Sequence, residues 1–164
     1  MNVKRIEMMM DLMFEISDMK TVNYDQVISS EWPKGFRWLQ EKLHKASYLL
    51  RPRHFSLASW RCGTVACAIG HAASRRNFQK EGFCWEKDGF TSNFPKYSGE
   101  YGWSAVAKFF DISPAQASAL FGMYSYPKNS TPIDVYVRLC EFRSIVIERD
   151  RKAFAENILS TNWD

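Results

Sequence analysis

The sequence predicts a mainly α-helical fold, a single compact helical domain of about five to six helices with one small β-hairpin near residues 83–92. Apolar residues recur at three-to-four spacing in several segments, which is the periodicity of amphipathic helices. Serine or threonine followed by proline precedes two later segments, which is a helix-start signal. At 164 residues the chain has the size of one domain. We divide it into an N-terminal helical part (1–50), a motif-bearing core (54–145) and a C-terminal helix (146–164).

The first helix is predicted from Val3 to about Met19. It separates an apolar face from an acidic one. The apolar face holds Val3, Ile6, Met9, Met10, Met13 and Ile16, and the acidic face holds Glu7, Asp11 and Glu15.

The residue pattern in the middle of the chain predicts two more helices and the hairpin. The helices are expected over about 35–46 and from about Thr64 to Arg76. The hairpin is expected around Asp88 and Gly89, a pair suited to a two-residue turn with positive φ. Residues 94–102, rich in proline, glycine and tyrosine, are expected to form a loop.

The C-terminal half predicts helices with marked starts. One covers 102–110. Ser113, with Pro114 at the first helical position and Gln116 at the third, predicts a capping box for the next. A similar threonine–proline pair opens a helix over 133–150, and a separate short helix is expected over about 151–160.

The formal charge of +4 is unevenly distributed. Between Lys34 and Lys80 there are ten lysines and arginines and one acid, Glu41, a charge of +9 that leaves −5 for the rest of the chain. Such a stretch attracts anionic surfaces unless folding intersperses acids from elsewhere. Aromatic residues lie among these cations: Phe36, Trp38, Tyr48, His54, Phe55 and Trp60. The predicted partner-binding residues are Lys34, Arg37, Trp38, Lys42, Lys45, Arg51, Arg53 and Arg61, with Arg75, Arg76 and Lys80 as outlying contributors.

The stretch 60-WRCGTVACAIGHAA-73 allows a catalytic interpretation. Cys62 would lie at the start of the third helix, where the helix dipole lowers a thiol pKa. His71 would lie more than ~10 Å further along that helix, so His54 is the better candidate base. Cys62 and His54 are therefore the candidate catalytic pair of a thiol-dependent hydrolase or transferase.

The same stretch allows two other interpretations. Cys67 and His71 at i and i+4 could bind zinc with Cys62 and Cys84, although a second closely spaced ligand pair is missing. The third interpretation, which we favour, is close packing, because nearly every side chain over 64–73 is small. Cys67 and His71 would then lie in the core and Gly70 would mark a close contact. We expect no metal and no cofactor.

Residues 54–145 resemble a group of short phage, prophage and bacterial proteins. The resemblance rests on 55-FSLASWRCGTVACAIGHAA-73, 105-AVAKFFDISPAQASALF-121 and 131-TPIDVYVRLCEF-142. The group often has tryptophan where this chain has His71, which argues against an obligatory base or zinc ligand there. The resemblance implies a shared fold and a mobile-element setting, with no assigned activity.

These observations predict a cytoplasmic binding protein and favour a non-enzymatic role over an enzymatic one. The expected partner is a host protein or ribonucleoprotein complex, or nucleic acid itself, bound through the stretch over residues 34–61 in which cations and aromatic residues alternate. Phage proteins of this size include anti-defence inhibitors such as anti-CRISPR proteins. This expectation rests on the mobile-element setting and not on the chemistry of particular residues. No apolar run reaches the ~20 residues of a membrane span.

Overall fold

The computed structural model describes residues 1–21, 53–58, 60–62, 65–86 and 94–160. For Arg61, Cys62, Val65, Arg151 and 153–160 it describes the backbone alone. The predicted helix over 35–46 and the turn at Asp88-Gly89 lie outside these residues. Within them the fold is mainly helical with small β-sheets, which confirms the predicted fold class.

Six α-helices form most of the described chain. They are α1 (Val3–Glu15), α2 (Ala68–Ala73), α3 (Arg76–Lys80), α4 (Gly102–Phe110), α5 (Pro114–Phe121) and α6 (Pro132–Ser160), with a 3-10 turn at Met123–Ser125. None of the described helices is both long and apolar enough to cross a membrane. The predicted starts of α4, α5 and α6 are confirmed, and Ser113 and Gln116 form the expected capping box.

Two small three-stranded sheets complete the architecture. The first has the order β1 (His54–Phe55), β3 (Val65–Ala66), β2 (Arg61–Cys62), with β1 parallel and β2 antiparallel to β3. The second is an antiparallel meander of β4 (Cys84–Trp85), β5 (Pro95–Tyr97) and β6 (Glu100–Tyr101).

Beyond the end of the first helix, three predicted elements differ from the structure. The third helix starts at Ala68 and not at Thr64, because Val65 and Ala66 pair with strands on both sides. The segment predicted as a loop over 94–102 holds β5 and β6, joined by Ser98 and Gly99, which both have positive φ as a two-residue hairpin turn requires. The predicted break near 150 is absent, and α6 is one helix of 29 residues.

One core joins the helices and sheets. Helix α1 packs against α2, α4 and α6, while α4 packs against α5 and β5. The centre is rich in phenylalanine, whose fully buried members are Phe55, Phe78, Phe83, Phe109, Phe110 and Phe121. The predicted apolar face of α1 supplies Ile6, Met9 and Met13 to this core, together with Leu12. The helix ends at Glu15, earlier than predicted.

Candidate functional site

Helix α2 lies inside the molecule, and all six of its residues are buried. Its small side chains let other backbone segments approach closely. A Cβ atom on Gly70 would overlap the carbonyl oxygen of Trp60 and lie 2.8 Å from the Cβ of Ala66. Beyond the helix, Ser74 donates a hydrogen bond to the Gly70 carbonyl (2.9 Å) and accepts one from the indole of Trp85 (3.0 Å). The motif therefore builds the core, as the packing interpretation predicts.

The Cys67 thiol is held in its protonated form. Its side chain is buried, and its Sγ atom lies 3.9 Å from the carbonyl oxygen of Trp60. Burial raises its pKa to about 11, because an apolar environment disfavours the thiolate. A thiol with this pKa is a poor nucleophile and a poor metal ligand at neutral pH.

The His71 ring is also part of the interior. Its Nε2 atom lies 3.1 Å from the carbonyl oxygen of His54, so Nε2 donates a hydrogen bond to β1. The ring stacks on Phe55 with centroids 6.1 Å apart. His71 therefore ties α2 to the first sheet. Within the described residues no three histidine, cysteine or acidic side chains are grouped so as to hold a metal ion.

Cys62 and His54 occupy different strands of the first sheet. Both are in register with Val65 of the central strand, so two strand spacings, roughly 9.5 Å, separate their backbones. Cys62 does not lie at a helix start, because α2 begins at Ala68. The helix-dipole argument for a reactive Cys62 is therefore wrong, although the sheet does bring Cys62 and His54 to one small region. Cys84, the fourth proposed zinc ligand, lies in β4 of the other sheet.

Four predicted partner-binding residues have described side chains. Arg53, Arg76 and Lys80 are exposed. Arg75 is mostly buried and forms an ion pair with Glu15 at 2.9 Å. The backbone of Arg61 lies in β2. The remaining predicted residues lie outside the described part of the chain: Lys34, Arg37, Trp38, Lys42, Lys45 and Arg51.

These cations gather where α1 ends. The amide of Phe55 donates to the carbonyl of Lys20 at 3.1 Å, which places the exposed Lys20 beside the start of β1 and Arg53. The Arg75–Glu15 pair brings the start of α3 to the same end of α1. We call Lys20, Arg53, Arg75 and Arg76 the basic edge. Its acids are Glu15, which pairs with Arg75, and the exposed Asp18.

Two aromatic residues of the basic stretch serve the fold. Phe55 is fully buried, so the expectation that it contributes to an aromatic surface is wrong. Trp60 is half-buried and packs on Trp103, with ring centroids 4.6 Å apart. The sequence did not reveal that Phe55 and Trp60 are buried or half-buried, because the charged residues beside them in the chain suggested an exposed segment.

A groove that the sequence did not indicate lies between α1 and α6. The two helices run antiparallel, with Glu7 paired to Arg143 at 2.6 Å and Phe14 packed on Tyr136 at a centroid distance of 6.0 Å. The groove has a volume of about 400 Å³. Its lining residues are Glu7, Met10, Asp11, Tyr136 and Arg143. The sequence placed Glu7 and Asp11 on a solvent face but carried no signal for the helix that faces them.

Tyr136 remains a neutral phenol in this groove at ordinary pH. A hydrogen bond with Cys140, one turn further along α6, raises its pKa, and the Asp11 carboxylate adds to the effect. The groove therefore presents a phenol ring, a methionine and a carboxylate side by side.

Comparisons of this chain with protein-family models, with curated proteins and with solved structures find no match. The resemblance drawn from the motif over residues 54–145 stays a prediction.

Proposed function

We propose that this protein acts by binding a nucleic-acid-containing complex of a host cell through its basic edge and the neighbouring basic stretch. In this proposal it is a phage or mobile-element protein that inhibits or modulates a nucleic-acid-processing or defence complex in the cytoplasm. The observation that carries the proposal is the exposure of Arg53 and Arg76 at the end of α1 where Lys20 is also exposed.

The electrostatics support an anionic partner. No ion pair to Arg53, Arg76 or Lys20 is formed within the described residues, so their charges remain available to phosphate or carboxylate groups. The stretch from Lys34 to Lys80, which includes these arginines, carries +9. Phosphate neutralisation by such residues supplies most non-specific affinity for nucleic acid and falls with salt.

The buried motif supports binding more than catalysis. Cys67 and His71, which the sequence offered as reactive groups, are used for packing and for a hydrogen bond to β1. These contacts account for both side chains without a substrate. Among the described residues, the exposed side chains of Arg53, Arg76 and Lys20 form no comparable structural contact.

Charge reversal at the basic edge tests this function. We expect Arg53→Glu combined with Arg76→Glu to weaken binding of a labelled single-stranded RNA at least tenfold, because repulsion replaces two phosphate contacts. Fluorescence anisotropy at about 50 mM and about 200 mM salt measures this, since a phosphate interface loses affinity between those salt concentrations. Adding Arg51→Glu and Arg61→Glu should deepen the loss.

The matched control is Lys128→Glu combined with Lys152→Glu. Both lysines are exposed, on the loop before α6 and on α6, and the double change alters the net charge equally. Equal weakening by the two double variants, or no RNA binding by the unmodified protein, contradicts the proposal. Binding of polyglutamate in place of RNA would assign the edge to an acidic protein.

A second candidate function is a thiol-dependent hydrolase or transferase with Cys62 as nucleophile and His54 as base. The observation that favours it is their common register with Val65 in one sheet.

Alkylation separates this candidate from the binding function. A catalytic Cys62 should react with iodoacetamide at pH 7 at least tenfold faster than a model thiol, because only the thiolate reacts. Cys67 serves as the internal reference and should stay unlabelled until the protein unfolds, since its pKa is about 11. A Cys62 that reacts no faster than the model thiol contradicts the enzymatic candidate. Peptide mass spectrometry reads both sites in one sample.

A further inference from the structure

We propose that the groove between α1 and α6 binds a basic amphipathic helix of a partner protein, with one lysine or arginine side chain of that helix inserted against Asp11 and Tyr136. The site lies on helix faces distinct from the basic edge, and the proposal does not rest on the function assigned to that edge.

The groove offers an electrostatic site for one cation. The Asp11 carboxylate is exposed and forms no ion pair within the described residues. Glu7 and Arg143 neutralise each other at 2.6 Å, so the groove lining keeps one net negative charge, that of Asp11. A lysine or arginine entering the groove would pair with this carboxylate without displacing an existing bond.

The ring of Tyr136 gives the cation a second favourable contact. It lines the groove and lies against the ring of Phe14 at a tilt of 51°. An ammonium or guanidinium group over an aromatic face is attracted by the ring quadrupole. The apolar stem of a lysine or arginine side chain would lie along Met10, as such stems do on apolar surfaces.

Apolar side chains beside the groove fit the rest of an amphipathic helix. Phe14 is 65% exposed although it touches Tyr136. On α6, Ile133 and Val137 are 39% and 48% exposed. Ile133 lies one turn before Tyr136, and Val137 adjoins Ile133 on the helix surface as its i, i+4 neighbour. An amphipathic helix lying in a groove uses such a row of apolar anchors.

The charge around this face selects a basic partner and not an acidic one. Exposed acids Glu141 and Glu148 follow Val137 along the solvent side of α6, and the exposed Lys152 lies one turn beyond Glu148. With Asp11 counted, three acids and one lysine leave this face with a net negative charge, whereas the opposite sign gathers at the basic edge. A second copy of this chain would bring the same acids against one another, which disfavours a symmetric dimer through this face.

A leucine–lysine peptide of about 14 residues tests the proposal, with its leucines at helical spacing. Isothermal titration calorimetry measures its affinity for the full chain. We expect Asp11→Asn and Phe14→Ser each to weaken binding at least fivefold, because one removes the ion pair and the other an apolar anchor. Circular dichroism checks that both variants fold, as expected from their exposed positions.

Two variants outside the groove and its surrounding acids are the matched controls. Glu100→Gln removes an exposed acid on β6, and Ile145→Ser removes an apolar side chain of α6 that is 67% exposed. Each should change the affinity less than twofold. A peptide of the same composition with alternating leucine and lysine should bind at least tenfold more weakly, because its apolar residues do not share a helical face.

Three outcomes overturn the proposal. The first is equal weakening by the control variants, and the second is equal binding of the alternating peptide; both would indicate non-specific attraction. The third is dimerisation in analytical ultracentrifugation that Phe14→Ser abolishes, which would assign the groove to a second copy of the chain. None of these outcomes affects the test of the basic edge, which uses other residues and an RNA probe.

Discussion

Replacement of Gly70 by alanine is expected to lower the free energy of unfolding by about 3 kcal/mol or more. The added methyl group would overlap the carbonyl oxygen of Trp60, which belongs to backbone and has no flexible end to move away. The Cβ of Ala66 blocks a small displacement in another direction, at 2.8 Å from the new atom. Relief therefore requires α2 to move away from the first sheet.

The direction of the expected change in unfolding free energy distinguishes steric overlap from helix propensity. Helix propensity alone would make Gly70→Ala stabilising by about 1 kcal/mol, because glycine has more conformational freedom to lose. A measured decrease in the free energy of unfolding would therefore come from the close approach of the Trp60 backbone and not from helix propensity. Urea unfolding followed by far-ultraviolet circular dichroism gives the value, with Asn77→Ala on the exposed surface of α3 as the control, expected within about 0.5 kcal/mol. Unchanged or increased stability would contradict the packing interpretation of the motif.

Replacement of Arg5 by methionine is expected to cost about 2–3 kcal/mol of folding free energy. The guanidinium donates to the carbonyl oxygen of Phe109 at 2.8 Å and lies 3.2 Å from a carboxylate oxygen of Glu81. It also lies over the rings of Phe109 and Tyr97, at 4.4 and 5.1 Å from their centroids. Arg5 thus joins α1 to the C-terminal end of α4, whose last carbonyls lack partners within the helix.

Methionine keeps much of the apolar stem but cannot donate the two hydrogen bonds that the Arg5 guanidinium makes. The Glu81 carboxylate and the Phe109 carbonyl would each lose a charge-assisted hydrogen bond. Lys4→Met is the matched control, because Lys4 also faces Glu81, at 3.9 Å, but its side chain is 79% exposed. Exposed ion pairs contribute little, so we expect a change below about 0.5 kcal/mol. Similar losses for the two variants would mean that Arg5 acts only as a surface charge.

Local signals explain which elements could be predicted. The capping box at Ser113 and the periodicity of α1 involve residues three or four positions apart, and both are confirmed. The close contact at Gly70 was also predicted, because a run of small residues is useful chiefly where another segment approaches. These features depend on neighbours in the chain, which the sequence displays directly.

The strand at Val65 and Ala66 could not be separated from the helix that follows it. Short apolar runs are compatible with either structure, and the pairing of β3 with β1 and β2 decides between them. The same reason accounts for β5 and β6, whose partner β4 lies across a segment of the chain. The consequence for the site is direct, since Cys62 lies in a strand and not at a helix start.

The periodicity, cap residues and run of small side chains along the chain were sufficient for a mainly helical fold, for the start of α6 and for the close contact at Gly70. Tertiary contacts alone placed Arg75 on Glu15 while leaving Arg53 and Arg76 exposed, and they alone brought Tyr136 to Asp11. The physical reason is that burial and charge pairing depend on segments that are distant in sequence. A pattern of residue types shows which side of a helix is apolar, but the partner that covers it is chosen only when the chain folds.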